Sequence, residues 1–118
     1  MEKLNGTDIQ EVVRRKTIAQ HYVHSKLDRK ALIMQLAEEA SELSQSCLKY
    51  IRALDGKNPF TEFDPEFYMD RIIERYSCVL NAAETARIWA DFETMLIKAE
   101  RWAERLKALK ESEGADHE

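Results

Sequence analysis

The stretch ALIMQLAEEASELSQSCLKYIRAL, residues 31–54, decides the fold. Leu32, Leu36, Ala40, Leu43, Cys47 and Ile51 recur every three or four residues, the spacing of one buried face on an α-helix. Asp28 stands before the run as a helix start, and Asp55-Gly56-Lys57-Asn58-Pro59 closes it, so the sequence predicts a helix from Asp28 to about Leu54.

The same logic extends outward in both directions. Upstream, Thr7 with Gln10 reads as a capping box, and Ile9, Val12, Val13, Ala19, Tyr22 and Val23 form a stripe that fades near His24-Ser25. Downstream, Gly56 to Pro65 is the one long loop, and Asp64-Pro65 reads as an N-cap followed by proline at the first helical position. A third helix is expected from about Pro65 to about Ile88, burying Met69, Ile72, Ile73, Tyr76, Val79, Leu80 and Ala83. A fourth carries Phe92, Met95, Leu96, Ala99, Trp102, Ala103, Leu106 and Leu109, with Asp91 as its cap and Trp102 in its core. Glu84-Thr85-Ala86-Arg87 contains no breaker, so continuity of the third and fourth helices stays open.

Composition agrees with helices. The 118 residues include only 3 Gly and 2 Pro, too few for a turn-rich β fold. A charged fraction of 34% with mean hydropathy of -0.55 suits helices that each turn one face to water. The expectation is an all-α, four-helix bundle-type single domain over residues 1–118, with residues 1–6 and 111–118 frayed. The apolar stripes are wide for one small core, which suggests a homo-oligomer that completes the bundle.

Charge and cysteine usage restrict the function classes. A net charge of -4 argues against a protein that coats nucleic acid. No apolar run approaches the about 20 residues of a membrane span. Cys47 and Cys78 sit apart in helical segments behind a polar start, so a cytoplasmic protein with free thiols is expected. Cys47 lies on the apolar stripe and reads as a packed thiol. His21 and His24 lack the third ligand of a zinc site and read as structural.

The chemistry-bearing residues lie on the second helix. Glu38, Glu39 and Glu42 fall within five positions, and Glu39 and Glu42 rise from adjacent turns at the edge of the apolar stripe, with Gln35 and Ser46 along the same edge. Two hard carboxylates so placed could hold Mg²⁺. An ordinary solvated helix face carries the same pattern.

The run Gln35-Leu-Ala-Glu-Glu-Ala-Ser-Glu-Leu-Ser, followed by Lys49-Tyr-Ile-Arg-Ala-Leu-Asp-Gly-Lys-Asn-Pro59, resembles the first half of the MazG-like nucleoside triphosphate pyrophosphohydrolases. Ile73-Glu-Arg-Tyr-Ser-Cys-Val-Leu-Asn-Ala82 is similar to that family's second motif helix, and Lys98-Ala-Glu-Arg-Trp-Ala-Glu-Arg-Leu106 to its closing Lys-x-x-Arg-Trp stretch. The resemblance covers roughly Leu32 to Leu106. It implies an all-α dimer or tetramer, and Mg²⁺-dependent cleavage of a nucleoside triphosphate to monophosphate and pyrophosphate. Glu38, Glu39 and Glu42 would be the catalytic carboxylates, Glu39 and Glu42 the metal ligands, and Lys49, Asn81 and Arg101 the contacts to the nucleotide.

The family pattern then breaks. Members carry Glu-x-x-Asp on the second motif helix, and alignment on Val79-Leu80-Asn81-Ala82 puts Arg75 and Cys78 there. Arg75 places a fixed positive charge where a divalent cation would sit, and Cys78 is too soft for Mg²⁺. A separate polar stripe of Asp70, Glu74, Asn81 and Glu84 offers an alternative ligand set. Three readings follow: a pyrophosphohydrolase with weakened or lost activity, a pseudoenzyme that binds nucleotide or a protein, and a helical oligomer without ligand.

Overall fold

The computed structural model describes residues 8–56 and 64–116. They form four helices and no strand: α1 (Ile9–Lys26), α2 (Arg29–Leu54), α3 (Pro65–Thr85) and α4 (Phe92–Asp116). None of these is long and apolar enough to cross a membrane. The chain divides into two compact units, Met1–Ile88 and Trp89–Glu118.

Aspartates start every helix. Asp8 accepts from the Gln10 amide at 3.0 Å, Asp28 from Ala31 at 2.8 Å, and Asp64 from Glu66 at 3.1 Å with Pro65 behind it. Each satisfies an amide that has no partner inside the helix. Asp91 does the same for Glu93 and Thr94 and also takes the Thr94 hydroxyl at 2.9 Å. These bonds, the hydroxyl's first, hold the Asp91 carboxyl below its usual range. Thr7 lies outside the described residues, and the cap seen for α1 is Asp8.

Within the first unit, α2 packs mainly against α3, and α1 makes a smaller contact with α3. The α2–α3 pair is antiparallel: Glu42 meets Arg75, and Tyr50 lies near Tyr68 with ring centroids 6.4 Å apart. On α2 the less exposed positions include Leu32, Leu36, Glu39, Leu43, Ser46, Tyr50 and Ala53, with Ala31 and the expected Cys47 beside them. On α3 they include Tyr68, Ile72, Arg75, Val79 and Ala82. Both series alternate steps of four and three, the 3.5-residue period of a coiled-coil seam. The seam corrects the expected stripes, because it runs through Glu39 and Arg75 and leaves Ala40 and Ile51 exposed.

A second correction concerns the other apolar residues of α3. Met69, Ile73, Tyr76 and Leu80 are 42–53% exposed. The seven residues expected inside belong to two neighbouring seams, and only the inner one is filled by α2. Among the described residues, the buried apolar side chains are Leu32, Tyr68, Ala82 and Ala86.

The third helix ends three residues earlier than expected. The Ile88 amide reaches back to the Ala83 carbonyl at 2.9 Å, and the Arg87 amide to Glu84 at 3.0 Å. This is a Schellman stop, which needs a left-handed residue after the cap. Arg87 supplies it at φ 62°, where glycine is usual.

The second unit holds α4, which continues through Asp116 rather than fraying from Glu111. Its side chains through Gly114 are exposed, including Trp102 at 64%, so the unit by itself provides no core for the Trp102 expected there.

Candidate functional site

Local sequence and seam geometry together decide where the α2 carboxylates go. Glu39 occupies a seam position facing α3, and Glu42 lies one turn further along. The two do not converge. They line different cavities on the α2–α3 junction.

Glu42 points toward Arg75, whose Nη1 donates to Glu42 Oε2 at 2.8 Å. The guanidinium side chain is 30% exposed and the carboxylate 47%. Around this pair opens a cleft of about 440 Å³, lined by Glu42, Gln45, Ser46 and Lys49 from α2 and Phe67, Tyr68, Arg71 and Arg75 from α3. Arg71 lies 5.9 Å from the Phe67 ring centroid and 3.8 Å from Glu74.

Glu39 faces a smaller, more apolar cavity of about 160 Å³, with Cys78, Asn81, Ala82 and Thr85 opposite it on α3. Its Oε1 accepts from Gln35 at 2.8 Å, while Oε2 is buried with no hydrogen-bond partner among the described residues. Burial, and then the charge of Glu39, push the Cys78 thiol up, so it stays protonated at neutral pH. A protonated thiol is a poor metal ligand.

The other sequence candidates divide. Lys49 does line the larger cleft with Glu42. Glu38 is exposed and lines neither cavity. Asn81 faces the smaller cavity and accepts from Gln20 Nε2 at 2.9 Å. Arg101 lies on α4, in the other unit, and is exposed. Two carboxylates of the alternative polar stripe are engaged in pairing: Glu84 takes Lys16 at 2.6 Å and Gln20 at 2.9 Å, and Glu74 faces Arg71. These bonds, that from Lys16 foremost, hold the Glu84 carboxyl below its usual range. His24 Nδ1 lies 2.9 Å from the Thr85 carbonyl and His21 Nδ1 3.2 Å from Arg87, so both histidines tie α1 to the end of α3.

This donor set fits Mg²⁺ poorly. The ion needs near-octahedral oxygen at about 2.0–2.1 Å. A cation on Glu42 Oε2 would sit against the Arg75 guanidinium, and Glu39 is turned to another cavity. Among the described residues no three of His, Cys, Asp and Glu group to hold a metal.

Arg71 and Phe67 escaped the sequence reading. The signal available was Arg71 and Arg75 at i and i+4, two like charges on one helix face, an arrangement that costs stability unless something answers it. No family model, curated protein or solved structure matches this chain.

Proposed function

We propose that this chain is a catalytically silent, MazG-like helical domain that binds a nucleotide without hydrolysing it. The observation that carries the reading is the 2.8 Å pair between Arg75 Nη1 and Glu42 Oε2. A guanidinium there supplies the positive charge that a divalent ion would bring, and fixes the carboxylate with a directed hydrogen bond. It cannot polarise a phosphoryl oxygen as a Lewis acid or lower the pKa of a bound water, the two services a metal gives to triphosphate cleavage. Lys49 and Arg75 remain as phosphate contacts, so binding survives where turnover does not.

The partner in assembly is a second copy of the chain, as a homodimer or homotetramer. Support comes from the outer α3 seam and from α4, where Phe92, Met95, Ala99, Trp102, Leu106 and Leu109 alternate steps of three and four, all exposed. Such a seam is the surface that a partner helix fills.

The test is pyrophosphate release from the common nucleoside triphosphates with Mg²⁺ or Mn²⁺. The native chain should release none, and calorimetry should show no Mg²⁺ binding in the micromolar range. Arg75→Glu combined with Cys78→Asp restores the four-carboxylate pattern of the family and should make hydrolysis appear. Turnover by the native chain overturns the reading.

A second reading, a pyrophosphohydrolase that retains weak activity, is favoured by one observation. Glu39 Oε2 is a buried carboxylate oxygen without a hydrogen-bond partner among the described residues, and leaving such an atom unpaired costs about 1–3 kcal/mol. A cation or water brought with substrate would complete it.

A further inference from the structure

The cleft around Arg75 holds more positive charge than the Glu42 pair uses. Lys49, Arg71 and Arg75 line it with Glu42, and Glu74 lies 3.8 Å from Arg71 at its edge, which leaves a surplus of one positive charge in a chain whose net charge is -4. Arg71 and Arg75 stand one turn apart on α3, and Lys49 approaches from α2. Like charges at this spacing repel, and placing them in one concavity concentrates the field. An arrangement that breaks a local stability rule is the kind expected at a functional site.

We infer that this cleft is a metal-free binding site for the phosphate of an organic phosphate, held by Lys49, Arg71 and Arg75 in competition with Glu42. A phosphomonoester dianion takes up that surplus together with the guanidinium that Glu42 releases. Its terminal oxygens can take the forked donors of two guanidinium groups while the ammonium of Lys49 acts as a point charge. Gln45 and Ser46 add neutral hydrogen-bonding groups on the α2 wall. Phe67, 53% exposed with Arg71 beside its ring, offers a flat apolar surface on which a planar ring of the ligand stacks. The volume of about 440 Å³ lies in the range of small-molecule sites, about 300–1,000 Å³. Glu42 then acts as a built-in competitor. It occupies Arg75 when the cleft is empty and yields the guanidinium to the phosphate when it is filled. The inference rests on the nucleotide-binding reading only for the ring; the phosphate part stands on the cleft alone.

The sign of one substitution separates an anion site from a metal site. At an anion site Glu42 is a competitor, so Glu42→Gln should tighten binding. At a metal site Glu42 is a ligand, so the same change should weaken it. The experiment is calorimetric titration of the full chain with adenosine monophosphate, inorganic phosphate and citrate in excess EDTA at low salt. Adenosine monophosphate should bind saturably, weaken steeply with added salt, and bind more tightly than inorganic phosphate or citrate. Glu42→Gln should strengthen it severalfold. Arg71→Gln should weaken it at least about tenfold, the scale of one lost charge-assisted hydrogen bond. Arg105→Gln on α4 should change nothing, and circular dichroism should show all variants equally helical.

Absence of saturable binding in both the native chain and Glu42→Gln overturns the site, as does weakening by Glu42→Gln. Equal affinity for inorganic phosphate and adenosine monophosphate overturns the role of Phe67. Hydrolysis of triphosphates with Mg²⁺ would defeat the silent-enzyme reading while leaving metal-free binding in place. Binding failure without hydrolysis would overturn the phosphate site together with the binding half of the silent-enzyme reading, leaving only the lack of turnover.

Discussion

Arg87 adopts a conformation that a side chain makes expensive. Its φ of 62° brings Cβ toward the next carbonyl, at a cost of about 1–2 kcal/mol. The Schellman bonds and the contact with His21 hold it there. Arg87→Gly removes the Cβ, while glycine's freedom in the unfolded chain takes back about 0.4–1 kcal/mol. The net expectation is a gain of about 0.5–1 kcal/mol, read as a higher urea midpoint at unchanged slope. Arg87→Ala should gain nothing, since it keeps the Cβ and loses the guanidinium. A lower midpoint for the glycine variant would show that the His21 contact outweighs the strain. The same residue explains why the end of α3 was hidden in the sequence: the stop is made by backbone bonds around an arginine, where a reader looks for glycine or proline. Arg75 is the opposite case. Its mismatch with the family pattern was visible in the sequence, and the structure gives it a partner on α2.

At the level of elements, helix existence was legible and helix burial was not. Asp28, Asp64 and Asp91 mark their helices because a short carboxylate reaching unpaired amides is a local event that sequence records directly. Which residues of α3 turn inward depends on which neighbour is present, and no local pattern separates the filled seam through Ile72 and Val79 from the open one through Ile73 and Leu80. The α1–α3 contact was invisible for the same reason. It is polar, built from Lys16, Gln20 and His24 against Asn81, Glu84 and Thr85, whereas the expected α1 stripe ran through Tyr22, which is 63% exposed.

That polar contact makes stability depend on pH with a definite sign. Hydrogen bonds from Lys16 and then Gln20 depress the Glu84 pKa in the folded chain below its ordinary 4.5. A depressed carboxylate contributes stability fully above its unfolded value, and loses that contribution as pH falls through the folded one. Lys16 and Glu84 are 42% and 31% exposed, so the pair is worth at most about 1 kcal/mol. Glu84→Gln should therefore melt lower than the native chain at pH 7. The difference should narrow as pH falls below 4.5 and close once the folded carboxyl is protonated. A difference that stays constant across that range would show that Glu84 acts through packing and not through its charge.

On the scale of the whole molecule, the exposed apolar seams set the energetics of association. Most helix stability in proteins comes from packing an amphipathic face, and the 25-residue α4 carries an exposed apolar seam that a partner surface would cover. Burying Phe92, Met95, Trp102, Leu106 and Leu109 yields roughly 10 kcal/mol in gross terms, at about 1.5–3 kcal/mol per fully buried large side chain. Association costs about 4–15 kcal/mol, so the α4 seam by itself sits near the point of balance. Adding Met69, Ile73, Tyr76 and Leu80 of α3 tips it toward a stable assembly. Sedimentation equilibrium at micromolar concentration should therefore find a dimer or tetramer. Trp102→Glu with Leu106→Glu places two charges in the seam and should shift the chain to monomer. Ser112→Glu, off the seam, should leave the assembly intact. Helix loss in the double variant, alongside dissociation, would mean that α4 folds only against its partner. A native chain that remains monomeric at these concentrations would show that the open seams serve something other than a second copy.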